Sequence, residues 1–114
     1  MKKVYRNKVL GSMVGGAVGD ALGYPVEFMS YGQIVNKYGP DGITRYALNA
    51  KGEAEISDDT QMALFTANGV LFTFTRYADN EVILAPPHCY IQDSYKEWLE
   101  TQTGDIDYTL PHFN

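Results

Sequence analysis

Glycine recurs every fourth residue near the N-terminus, at Gly11, Gly15, Gly19 and Gly23. It does so within a segment whose apolar residues are Val9, Leu10, Met13, Val14, Ala17, Val18, Ala21 and Leu22. Spacings of three and four place the apolar set on one stripe of an α-helix running from about Tyr5 to Leu22, with the glycines as a smooth ridge beside it. Each helical glycine costs up to ~1 kcal/mol relative to alanine, so such a ridge needs a compensating contact. The spacing therefore predicts close approach of a second helix backbone and a first helix buried in a soluble core. A membrane dimer built on the same spacing is disfavoured, because the apolar run is short and carries Asp20.

The rest of the chain reads as further helices. Pro25 ends the first one at Gly23-Tyr24-Pro25, because its ring restricts Tyr24 and it has no amide to donate. Glu27 follows, flanked by Val26 and Phe28. Ser30 is placed to cap a short helix through Val35 and Tyr38, and Gly39-Pro40-Asp41-Gly42 is a strong turn signal. Residues 43–56 read as irregular, with a short extended piece at Ile43-Thr44-Arg45-Tyr46. A helix from Asp58 to about Phe74 is apolar nearly all round (Met62, Leu64, Phe65, Val70, Leu71, Phe72) and is expected to be the central helix of the core. Within it, Gly69 offers room for a close neighbour. Thr75 to Asn80 reads as its exit loop, and Pro86-Pro87 breaks whatever Val82-Ile83-Leu84 forms. A third amphipathic helix, around Tyr90 to Glu100, carries Tyr90, Ile91, Tyr95, Trp98 and Leu99 on one side. The expected class is all-α.

Composition removes several functions. The chain has 114 residues and a net charge of −5, with no basic block among aromatics, which argues against a nucleic-acid-binding face. Cys89 is the only cysteine, so neither a disulfide framework nor a thiolate zinc site is available within the chain. Met1-Lys2-Lys3 before the apolar segment superficially resembles a signal peptide, but Asp20 interrupts the run and no cleavage site follows. No segment has the apolar length of a transmembrane helix, and a cytoplasmic location is the default expectation.

Ser57-Asp58-Asp59-Thr60 is the densest group of chemistry-bearing residues. Ser57 suits an N-cap, and Asp58 and Asp59 suit the positive end of the helix dipole, each worth ~0.3–1 kcal/mol there. A cap needs only one such oxygen. Two ionised neighbours repel one another, and hard oxygens grouped at one point also suit Mg²⁺. Taken alone, the motif is better explained as a cap. Asp20 is as well explained by local bonds to backbone amides, and Glu27 by a solvated loop. Tyr24, Phe28 and Tyr46 are able to stack on an adenine but serve equally as ordinary aromatics. His88 and His112 read as surface residues and Cys89 as an inert thiol.

Gly19-Asp20-Ala21-Leu22-Gly23 with Glu27 downstream, followed by Ser57-Asp58-Asp59-Thr60, resembles the ADP-ribosylglycohydrolase family. Its members open with a glycine-rich helix and a nearby glutamate, and continue with an S/T-D-D-T motif at the start of a core helix. The resemblance implies the N-terminal part of an orthogonal multi-helix domain with residues 1–114 as an incomplete portion. It also implies a hydrolase that cleaves ADP-ribose glycosidic bonds in modified side chains or related compounds at a two-Mg²⁺ site. Ser57, Asp58, Asp59 and Glu27 would then be metal ligands, with Glu27, Asp58 and Asp59 in the chemistry. Asp20 would hold the first helix against the site. Carboxylates suit that reaction, since they stabilise an oxocarbenium-like transition state and activate water.

The family's late D-x-D-[ST] ligand motif is not matched. Gly104-Asp105-Ile106-Asp107-Tyr108 has Tyr108 where a hydroxyl ligand is expected and reads as a turn. This leaves the activity of the chain by itself uncertain, gives it the first half of the metal site, and predicts exposed helix faces that invite self-association. The alternatives are a non-catalytic relative, crystallin-like or ADP-ribose-binding, and an unrelated helical protein whose Ser57 motif is only a cap. The acceptor is not legible in these residues.

Overall fold

The structure is a computed structural model that describes residues 3–80 and 85–104. Among them the chain forms α1 (Lys3–Gly23), a 3-10 turn (Tyr24–Val26), α2 (Tyr31–Tyr38), α3 (Asp58–Asn80) and α4 (Pro87–Thr103). No strand occurs among the described residues; an isolated bridge joins Leu48 to Ala54. The all-α expectation is met. Val82-Ile83-Leu84, the Asp105-Ile106-Asp107 stretch and His112 lie outside the described residues.

The chain divides into two compact units, Met1–Thr60 and Gln61–Asn114. In the first unit, α1 ends where the sequence predicts, and Pro25 sits at the start of the 3-10 turn, where its missing amide costs nothing. Ser30 caps α2 through a full capping box: its Oγ accepts from Gln33 N, and Gln33 Oε1 accepts from Ser30 N at 2.7 Å. Gly39 and Gly42 take φ of 89° and 70°, which makes the turn after α2. Ile43 to Tyr46 forms no strand. The loop is organised instead by Asn49, whose Oδ1 accepts from Lys51 N at 2.9 Å and Glu53 N at 3.1 Å. Asn49 N donates to Glu53 O, and Gly52 closes the turn with φ 78°. An asparagine side chain thus replaces a strand ladder in returning the chain to Ser57.

The expected burial of α1 is not what the structure shows. Its one buried residue is Ala21, while Val9 is 59% and Val14 51% exposed. A Cβ added at Gly11, Gly15, Gly19 or Gly23 would meet nothing within 4 Å, so no described backbone packs on the ridge. The physical reason is that helical spacing creates a face able to accept a neighbour but does not supply one.

The second unit is an antiparallel pair. Helix α3 continues six residues beyond the expected end at Phe74, and Thr75 to Asn80 is helix rather than exit loop. Nothing in Thr75-Arg76-Tyr77-Ala78-Asp79 breaks a helix, since Gly and Pro are absent from it. Pro86 and Pro87 start α4, and Gly104 ends it in the left-handed conformation at φ 78°. Gly69 meets α4 closely, because a Cβ there would lie 2.6 Å from Ile91 Cα. Around it Thr66 Oγ1 bonds Tyr95 Oη at 2.7 Å, Asn68 Nδ2 donates to Ser94 Oγ, and Trp98 Nε1 donates to Gln61 Oε1 at 2.9 Å. Phe72 meets Tyr90 edge-on at 5.6 Å. The expectation that α3, apolar nearly all round, is the central helix of the core is corrected among the described residues: Leu64, Leu71 and Phe74 are exposed, and the buried positions of this pair include Thr73 and Ser94.

Candidate active site

Three sequence segments of the first unit meet at one pocket of about 280 Å³, lined by Asp20, Gly23, Tyr24, Glu27, Ser57 and Asp59. Asp20 and Gly23 come from the last turns of α1, a part of the helix that carries Ala21 into the interior. Tyr24 belongs to the 3-10 turn and Glu27 follows it directly, so Pro25 sets where both leave the α1 axis. Ser57 and Asp59 belong to the start of α3, where unpaired amides demand acceptors.

Those amides are satisfied in two ways. Ser57 Oγ accepts from Asp59 N at 3.1 Å, the N-cap bond expected of it. Asp20 Oδ2 accepts from Ser57 N at 2.9 Å, Thr60 N at 3.3 Å and Thr60 Oγ1 at 2.5 Å. Asp20 therefore does not bond its own helix end; it reaches α3, as the resemblance implies. Burial pushes its carboxyl up, and this is the largest single influence. The hydrogen bonds from the Thr60 hydroxyl and from the Ser57 and Thr60 amides, with the polar Ser57 hydroxyl nearby, together outweigh it, holding the group below its ordinary value of 3.8. Ser57 and Thr60 are both buried, at 8% exposure each, so the donors pair away from water.

The residues expected to act together are sorted by this geometry. Glu27, Ser57 and Asp59 share the pocket, whereas Asp58, exposed like Asp59 and Glu27, is not among its lining residues. Tyr24 lies at the pocket with 40% of its surface exposed, while Phe28 at 90% lies outside the lining, as does Tyr46. His88 is exposed, and Cys89 is a half-buried free thiol. The sequence reading, which gives Gly23 a place in the ridge, the helix end and the motif, missed its place in the pocket lining, and it missed the task of the Thr60 hydroxyl. The signal for the latter was present, since a second hydroxyl three residues after a cap has no local capping duty.

The donor set bears on a divalent cation. No group of three or more His, Cys, Asp or Glu residues is gathered for a metal among the described residues. The Glu27 and Asp59 carboxylates and Ser57 nevertheless line one pocket, beside an Asp20 already engaged with Ser57 and Thr60, and Mg²⁺ is commonly held by one or two carboxylates with water completing its shell. The residues present fit a partly hydrated hard cation rather than an all-protein cage. No helix among the described residues is long and apolar enough to cross a membrane.

Comparison with known proteins agrees with the motif pattern. A family model described as ADP-ribosylglycohydrolase matches residues 1–113. Over 59 residues the chain is 42% identical to an ADP-ribosyl-[dinitrogen reductase] glycohydrolase of Rhodospirillum rubrum, a stretch that makes up 51% of this chain. The matched stretch spans only 20% of the length of that relative. No solved structure matches the chain.

Proposed function

Since the chain belongs to the ADP-ribosylglycohydrolase family, we propose that it contributes to a Mg²⁺-dependent hydrolase that cleaves ADP-ribose glycosidic bonds. In this reading the chain supplies the first half of a two-ion site within an incomplete portion of the family domain. One observation carries the proposal: Glu27, Ser57 and Asp59, from two distant segments, line the same pocket. A purely capping role for Ser57-Asp58-Asp59-Thr60 requires no glutamate nearby.

Ser57, Asp59 and Glu27 would hold the cation, with Asp58 completing the ligand set named by the family motif. When bound, Mg²⁺ orients sugar hydroxyls and lowers the pKa of a coordinated water. The residues themselves divide the remaining work. Asp59 and Glu27 set negative charge on the pocket wall, where it stabilises positive charge developing on a ribosyl carbon. Either carboxylate can take a proton from an attacking water placed between it and that carbon. Tyr24 offers an apolar ring at the pocket edge for a sugar or base face.

Isothermal titration of the chain with Mg²⁺, then with ADP-ribose, tests the reading. The expected result is Mg²⁺-dependent heat that disappears in Asp59→Ala and weakens in Asp58→Ala. ADP-ribose binding that ignores Mg²⁺ would instead support a non-catalytic binding relative. No heat with either ligand would leave the Ser57 motif as a cap.

A further inference from the structure

The start of α3 satisfies its amides in an unusual way, best seen against α2. In a capping box the N-cap side chain accepts from the N3 amide, and the N3 side chain reaches back to the N-cap amide. Ser30 and Gln33 do this at α2. At α3 the corresponding positions are Ser57 and Thr60, and neither side chain accepts from the other's amide. Both amides go to a single oxygen, Asp20 Oδ2, on a different helix. The box is closed from 37 and 40 residues away. Ser57 Oγ turns instead to the amide of Asp59, one position earlier than the box would use. The Thr60 hydroxyl donates a hydrogen bond to Asp20, so the fourth residue of Ser57-Asp58-Asp59-Thr60 serves the carboxylate on α1.

We propose that Asp20 is a positioning residue for the pocket, acting as a cap in trans with Thr60 as its partner. By gathering the Ser57 amide, the Thr60 amide and the Thr60 hydroxyl on one oxygen, it fixes the turn that carries Ser57 Oγ and the Asp59 carboxylate. That turn is thereby held to the same helix end from which Gly23, Tyr24 and Glu27 lead. A loss of Asp20 would leave three partly buried donors without their acceptor and let the Ser57–Asp59 turn move independently of Glu27. The proposal rests on the reading of Glu27, Ser57 and Asp59 as a cation site, but the hydrogen-bond arrangement stands without it.

The test uses the full 114-residue chain, with amide hydrogen exchange and Mn²⁺ line broadening followed residue by residue in solution. In Asp20→Ala, exchange at the Ser57 and Thr60 amides should rise roughly five- to tenfold, the equivalent of about one net hydrogen bond. Mn²⁺ broadening at Asp59 should weaken while overall helix content is kept. Thr60→Val should give a smaller change of the same kind, and Thr60→Ser, which keeps the hydroxyl, should behave as the parent. Should Asp20→Ala fail to fold, Asp20→Asn keeps an acceptor oxygen without the charge and should show a smaller rise in exchange. Unchanged exchange at both amides in Asp20→Ala or Asp20→Asn overturns the trans cap. Unchanged Mn²⁺ broadening in a folded variant overturns the positioning role. No broadening at Ser57, Asp59 or Glu27 in the parent chain overturns the cation reading instead, and the exchange rates then judge Asp20 alone.

Discussion

The segment ending at Thr60 and the segment beginning at Gln61 use the same residue type for different purposes. In the first, four glycines line α1 at helical spacing and a side chain added at any of them would meet nothing within 4 Å. In the second, a single glycine, Gly69, lets α3 approach the backbone of α4 so closely that a methyl group would collide at 2.6 Å. The means of attachment differ too. The first unit fastens α1 to the start of α3 through one carboxylate and three donors, and leaves Val9 and Val14 exposed. The second fastens α4 along α3 by backbone contact and by successive polar pairs, Asn68 with Ser94, Thr66 with Tyr95 and Gln61 with Trp98. Glycine periodicity marks a surface that tolerates a neighbour; only the opposing atoms show whether it has one.

That contrast is sharpest under substitution. Gly69→Ala should destabilise the chain by about 2–3 kcal/mol, because the obstructing atoms are backbone and the helices must part to admit Cβ. Gly15→Ala should do the opposite, stabilising by ~0.5–1 kcal/mol through helix propensity alone. Paired thermal melts check both, and a Gly15→Ala variant as damaged as Gly69→Ala would erase the distinction between the two surfaces.

The carboxylate anchor should fail in acid, and the polar pairs of α3 and α4 should not. The carboxyl of Asp20 is held below 3.8, so the folded state binds its proton less readily than the unfolded chain. Its contribution is fully present above that value and is lost as pH falls through the lowered folded value. Melts of the parent and Asp20→Asn should therefore differ near neutrality and converge in strong acid. A difference that stays constant with pH would show that the charge on Asp20 does not contribute. The smallest loss is expected at Trp98→Phe, which removes the indole donor to Gln61 and should cost about 1 kcal/mol at any pH in this range.

The sequence made some of this legible and hid the rest for identifiable reasons. Ser30, Pro25, Gly39 and Gly42 act through local geometry, so the α2 cap, the end of α1 and the turn after α2 could be read directly. Gly69 is legible as a point of close approach because it interrupts an otherwise apolar helix. The exposure of α1 is not legible, since an apolar stripe states what a helix can bury and not what is there to cover it. The Asn49 turn is hidden in the sequence because an asparagine in a loop has many available partners and only the fold selects Lys51 and Glu53. At the pocket, motif order brought Glu27 and Ser57-Asp58-Asp59-Thr60 together as candidates. It could not separate Asp59, which lines the pocket, from Asp58, because their difference is one of direction around a helical turn.

The link from Asp20 to Ser57 and Thr60 also bears on how the chain acquires its structure. A helix that carries its own cap can begin wherever its local sequence permits, as α2 can with Ser30 and Gln33. Ser57 gives α3 one local bond, to the Asp59 amide, but the Ser57 and Thr60 amides wait on an acceptor 37 residues before Ser57, and closing a loop of that length must precede the reward for doing so. Early in folding, α3 is then free to start at a later residue or to fray through its first turn. Its final boundary is settled when the end of α1 arrives. The candidate pocket needs that same step, since Asp20 and Gly23 from the end of α1 line it together with Ser57 and Asp59.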